Sequence, residues 1–87
     1  MTYRITFRRA VIKEMRRIPR SIRKRLWTAI NGLRENPFPA EIKNIRGYGD
    51  HYRIRMGDYR IVYCVTTEIR VVTIIKVGHR KDVYKLI

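Results

Sequence analysis

Three arginines around one Gly-Asp pair are the side chains in this sequence best placed to do chemistry: Arg53, Arg55 and Arg60, flanking Gly57-Asp58. Arginine is neither a metal ligand nor a nucleophile, and it keeps its proton at any ordinary pH. It offers a fixed, forked cation that can grip two oxygens of a phosphate or carboxylate. Three such groups on one strand face that holds no carboxylate point to a polyanion. The competing interpretation is a solvated outer face on which the arginines splay into water. Like charges set directly opposite each other destabilise a strand pair, which weighs against it.

Residues 51–65 must hold these groups in place. Two alternating runs meet at Gly57-Asp58, and a two-residue loop with Gly first suits a tight type II′ hairpin turn. That turn pairs Met56 with Tyr59, Arg55 with Arg60, Ile54 with Ile61 and Arg53 with Val62. Side chains alternate along a strand. Tyr52, Ile54, Met56, Tyr59, Ile61 and Tyr63 therefore share one face, while Arg53, Arg55 and Arg60 share the other.

The composition agrees with an anionic partner. The chain has 87 residues, 21 basic and 7 acidic, for a net charge of +14. Such a charge fits nucleic acid, an anionic membrane or an acidic protein. The basic residues spread over several elements instead of one amphipathic helix, which disfavours a membrane. No apolar run approaches ~20 residues and the start does not read as a signal peptide, so a cytoplasmic protein is expected. The length suits one domain over residues 1–87, with one modest core, since folding at this size buries roughly 60–65% of the unfolded surface. The single cysteine, Cys64, rules out an internal disulfide and reads as a small strand hydrophobe. His51 and His79 without a carboxylate cluster predict no metal site, and no cofactor is expected.

Before the hairpin, Tyr3, Ile5 and Phe7 alternate with Arg4 and Thr6 as a first strand. Val11, Met15 and Ile18 predict a helix over ~8–18 that stops at Pro19. Ile22, Leu26, Ala29, Ile30 and Leu33 form the stripe of a second helix, with Trp27 at its border, and Asn36-Pro37-Phe38-Pro39 ends it. The first 34 residues carry 11 basic side chains and one acid, Glu14, so these helices could dock nucleic acid. Residues 40–50 read as a connector, and a turn falls near Thr66-Thr67-Glu68. Ile69–Val77 reads as a strand buried on both faces. Gly78 to Tyr84 closes the chain, with Lys85-Leu86-Ile87 as a short tail. The expected fold is α+β, two helices on a mainly antiparallel four-stranded sheet in the order β-α-α-β-β-β.

Over nearly its whole length the sequence resembles the RelE/ParE superfamily of toxins from prokaryotic toxin–antitoxin modules. The likeness is carried by Leu33-Arg34-Glu35-Asn36-Pro37, by Lys43-Asn44-Ile45-Arg46-Gly47 and by the run from Tyr52 to Tyr63. Gly78-His79-Arg80 followed by Val83-Tyr84 completes it. The resemblance implies a RelE-like microbial RNase fold and, for the RelE branch, cleavage of mRNA in the ribosomal A site. It also implies an acidic, RelB-like antitoxin as partner. The catalytic positions it implies are Arg53, Arg55, Arg60, Arg80 and Tyr84. Contacts to RNA or ribosome are expected from Arg20, Arg23, Lys24, Lys43, Arg46 and Lys81.

Cleavage without a metal uses the ribose 2′-hydroxyl against the adjacent phosphate, so the enzyme must stabilise a dianionic phosphorane. One well-placed donor contributes roughly 3–4 kcal/mol. Tyr84 could stack on a base, worth about 1–3 kcal/mol, or orient the hydroxyl. The sequence departs from the best-known RelE pattern in having Arg53 and Arg55 where lysines stand. A lysine among cations can act as a base, whereas arginine cannot. His79 is then the expected proton acceptor, although in an extended segment it would point away from Arg80. Two rival functions remain at this stage. One is a ParE-like, non-enzymatic poison of DNA gyrase, and the other a basic nucleic-acid-binding module without catalysis.

Overall fold

The computed structural model of the chain describes residues 2–84, with Tyr84 as backbone. The tail read from Lys85-Leu86-Ile87 lies outside the described residues. Strand β1 (Arg4–Phe7) leads into helices α1 (Arg9–Arg16) and α2 (Arg20–Gly32). Strands β2 (Lys43–Asn44), β3 (His51–Met56), β4 (Tyr59–Thr66) and β5 (Val71–His79) follow, and helix α3 (Arg80–Tyr84) comes last. The sheet order is β1-β5-β4-β3-β2, with β1 parallel to β5 and the other pairs antiparallel.

The α+β class and the two-helix layer are as expected, but the sheet has five strands rather than four. The extra strand, β2, is two exposed residues paired with Arg53 and Tyr52. Two polar residues leave no alternation to detect. The final strand starts at Val71 and not at Ile69, because Arg70 takes φ 55° in the turn and Ile69 is left exposed. Its far end runs to His79, where α3 begins; five residues are too few to show a helical stripe.

The stripes of both long helices cover one face of the sheet. Val11, Met15 and Ile18 from the first helical segment, and Leu26, Ile30 and Leu33 from the second, pack on Ile54, Ile61, Tyr63, Val65, Val72, Ile74 and Val77. Trp27 sits at the border of this core, edge-on to Phe7. Tyr63, fully buried, donates its hydroxyl to the Pro37 carbonyl at 2.8 Å, tying the sheet to the loop after α2. That loop is shaped by Asn36, whose side-chain oxygen accepts the Phe38 N–H.

Past the end of β1, the N–H of Val77 on β5 has no strand beside it. Glu14 of α1 fills the gap: one carboxylate oxygen accepts that N–H at 3.2 Å and the other pairs with Lys76. A smaller cluster of Ile45, Val62 and Val83 packs on the opposite face, so α3 lies on the side the long helices leave open.

Candidate nucleic-acid interface

The β3–β4 hairpin has the register expected from sequence, including Met56 opposite Tyr59, Arg55 opposite Arg60 and Arg53 opposite Val62. Gly57 takes φ 59°, the left-handed value the first position of a type II′ turn requires and glycine adopts without strain. Tyr52, Ile54, Met56, Tyr59, Ile61 and Tyr63 all face the helix-covered core. Arg53 and Arg55 therefore point to the other face.

Pairing across the strands extends that face into rows. Lys43 on β2 lies beside Arg53 on β3, which lies beside Val62 on β4 and then Lys76 on β5. One row nearer the turn, Arg55, Arg60 and Gly78 stand side by side. Directly opposite side chains have Cβ atoms only about 4.5–5.5 Å apart. Five cations thus occupy two adjacent rows, and one of them, Lys76, is already paired with Glu14 of α1. Arg55 and Lys43 are exposed and Arg53 is half-buried.

Arg60 departs from the expectation of an open arginine beside these two. It lies on the predicted face but is only 3% exposed. Its Nη1 donates to the carbonyl oxygens of Gly57 at 2.7 Å and Tyr59 at 2.8 Å, while Nε is buried with no partner among the described residues. The guanidinium curls back under the turn, where main-chain acceptors compensate part of its lost hydration. Arg80, the first residue of α3, is exposed. Its backbone N–H donates to the Asp58 carbonyl, and its Nε lies 4.0 Å from an Asp58 carboxylate oxygen.

The two histidines lie on opposite faces of the sheet. His79 pairs with Tyr59 across β4 and β5, so it stands on the helix-covered side, with the two rings edge to face. Its Nδ1 already accepts the Lys81 N–H at 3.3 Å. The structure does not bring His79 together with Arg53 and Arg55. His51, two residues before Arg53 on the same face, carries Asp50 Oδ1 on its Nδ1 at 2.8 Å. A carboxylate can only accept there, so Nδ1 holds a proton, and in that tautomer Nε2 is the acceptor.

The remaining expected residues divide by layer. Lys43, Arg46 and Lys81 are exposed, on β2, the connector and α3 respectively. Arg20, Arg23 and Lys24 lie on α2, which packs against the other face of the sheet, so they form a separate basic surface. Tyr84 ends α3, and its side chain lies outside the described residues. Two cations passed over in the sequence, Arg8 and Lys76, come to the hairpin's basic face. The alternation of Arg4, Thr6 and Arg8 against Tyr3, Ile5 and Phe7 is the signal that could have found the first.

The profile of the ParE toxin of type II toxin–antitoxin systems, parDE, matches residues 5–84. This chain belongs to the RelE/ParE toxin family. Toxin RelE3 of Methanocaldococcus jannaschii is 37% identical, over 93% of this chain and 94% of its own length. The mRNA interferase toxin RelE of Escherichia coli K12 is 34% identical, over 93% and 86%. Among solved structures, the archaeal RelE–RelB complex from Pyrococcus horikoshii OT3 superposes with a TM-score of 0.81 at 33% identity. The match covers 92% of this chain and 97% of that one. The RelE-type fold of the relatives is thus the fold built here.

Proposed function

We propose that this chain is the toxin of a toxin–antitoxin pair and arrests translation in the cytoplasm by cutting mRNA in the ribosomal A site. The observation that carries the reading is the cationic face of the hairpin, with Lys43 and Arg53 in one row and Arg55 in the next. The mRNA interferase named among its relatives supports the substrate. In the reaction the 2′-oxygen attacks the adjacent phosphorus and the bond to the 5′-oxygen breaks. A 2′,3′-cyclic phosphate results, and the leaving 5′-oxygen takes a proton from solvent to become a 5′-hydroxyl. Arg53 and Arg55 hold the non-bridging oxygens as charge builds on them. Arg80 reaches the same phosphate from α3, and Tyr84 follows one helical turn later. His51, oriented by Asp50, is the imidazole on the right face to take the 2′ proton.

The partner is an acidic, RelB-like antitoxin, as in the RelE–RelB complexes the chain resembles. With a net charge of +14, association should be fast and should slow as salt rises. A second reading, a non-enzymatic poison of DNA gyrase, draws on the ParE description of the matched family. Adding the purified chain to translating ribosomes and mapping mRNA ends by primer extension separates the two. Cuts inside A-site codons are expected. Intact mRNA together with inhibited gyrase supercoiling would replace the first reading with the second.

A further inference from the structure

Beside the arginine rows, on the same face of the sheet, lies a cavity of about 230 Å³, several times the ~30 Å³ a water takes up in the liquid. Its floor is aliphatic, built from Ile45, Val62 and Val83, all buried. One wall is aromatic: the Tyr48 and His51 rings lie 5.4 Å apart between centroids and are tilted by 53°. Arg8 stands at the rim.

The loop that carries the aromatic wall is tied by hydrogen bonds of its own. Tyr48 donates its N–H to the Ile45 carbonyl and accepts the His51 N–H on its own, both at 3.0 Å. The Asn44 side-chain amide clamps the same loop through the carbonyls of Gly49 at 3.1 Å and His51 at 3.0 Å. Asp50 fixes the His51 ring. Tyr48 nevertheless stays 53% exposed, a large ring presented to solvent by a rigid loop.

We propose that this cavity is a nucleobase subsite. One base of the RNA whose phosphates follow Arg53 and Arg55 leaves its stack and seats against Tyr48 and His51, over the aliphatic floor. The inference rests on the RNA-cleaving reading and extends it to how a strand is positioned. A flat heteroaromatic ring is the group that uses an aliphatic floor and a ring wall together. Charge selects the owner of that ring, because Arg8 at the rim and the neighbouring Lys43–Arg53 row favour a strand carrying one anion per residue.

NMR titration of the labelled chain with adenosine and cytidine 5′-monophosphates tests this without requiring turnover, with ribose 5-phosphate as the base-free control. The nucleotides should shift the amide signals of Ile45, Val62 and Val83, while ribose 5-phosphate leaves them in place. Tyr48→Ala should weaken nucleotide binding about tenfold and Tyr48→Phe should retain it, since the ring face matters and the hydroxyl does not. On programmed ribosomes, Tyr48→Ala should flatten the preference among A-site codons. Equal shifts from ribose 5-phosphate, or unchanged nucleotide affinity in Tyr48→Ala, overturn the subsite. Nucleotide binding in the cavity without mRNA cleavage keeps the subsite and overturns only the endoribonuclease reading.

Discussion

The backbone N–H of Arg80 donates to the carbonyl oxygen of Asp58 at 2.7 Å, so the first residue of α3 hangs from the turn of the β3–β4 hairpin. Arg60 takes the carbonyls on either side of Asp58, those of Gly57 and Tyr59. Three consecutive turn carbonyls are therefore held by two arginines, one through its side chain and one through its main chain. Together they tie down the turn that follows Arg55 and Met56.

That difference predicts two distinct mutational signatures. Arg60→Ala removes a charge-assisted contact and empties a buried site, at about 1.5–3 kcal/mol. A chain of this size loses about 4–8 °C in Tm per kcal/mol. Arg80→Ala keeps its N–H on Asp58 and removes an exposed guanidinium, so Tm should stay within a degree or two while cleavage falls by about 10²–10³-fold. Thermal melts beside single-turnover cleavage read both quantities. An unchanged Tm in Arg60→Ala would mean the buried guanidinium does not hold the turn.

Arg55 is exposed, so its substitutions report on phosphate recognition with little effect on folding. Arg55→Ala should lower cleavage by about 10²–10³-fold. Arg55→Lys separates a forked contact from a point charge. It should lose at least tenfold if two parallel hydrogen bonds hold the phosphate, and little if charge suffices. Binding to single-stranded RNA adds an independent count. Each phosphate contact contributes about −0.7 to the slope of log affinity against log salt, so Lys43→Ala and Arg53→Ala should each flatten it by about that amount. Full activity in Arg55→Ala would remove the hairpin face from the site.

His51 rather than His79 should matter for the rate. His51→Ala is expected to cost about 10²–10⁴-fold, the usual contribution of a positioned proton acceptor. Imidazole added to that variant should restore part of the loss. His79→Ala should cleave near the wild-type rate, because its ring sits on the helix-covered side against Tyr59. Cleavage lost in His79→Ala but intact in His51→Ala would reverse the assignment.

What the sequence disclosed follows the strength of its periodic signals. The hairpin was legible to the residue, because alternation over residues 51–65 and a Gly-first turn left one register with its apolar side chains on a single face. The same alternation carried the faces of Arg53 and Arg55. It could not carry depth: Arg60 shares their face yet folds back under the turn, a matter of rotamer and of nearby carbonyls. Strand β2 and helix α3 were missed for brevity, since two residues and five leave no period to read. The placement of the histidines was hidden for a related reason. Nearness of His79 to Arg80 in sequence said nothing of the change from strand to helix between them, whereas the alternation of His51 with Arg53 already placed those two together.

The buried phenol of Tyr63 gives the fold a measurable alkaline limit. Burial pushes its pKa above the ordinary value of about 10, and Tyr52 nearby adds to the shift. Above pH 10 the unfolded chain releases this proton while the folded chain keeps it, so the unfolded state binds fewer protons and stability falls as pH rises. Below pH 10 both states hold the proton and the contribution is fully present. Tyr63→Phe should cost about 0.5–1.5 kcal/mol at neutral pH through the lost bond to the Pro37 carbonyl. It should also flatten the decline between pH 10 and 11, since phenylalanine has no proton to withhold. Denaturant melts of both chains from pH 7 to 11 isolate the effect by difference, because the two chains differ only in this hydroxyl. Parallel curves would show that Tyr63 ionises as freely in the folded chain as in the unfolded one.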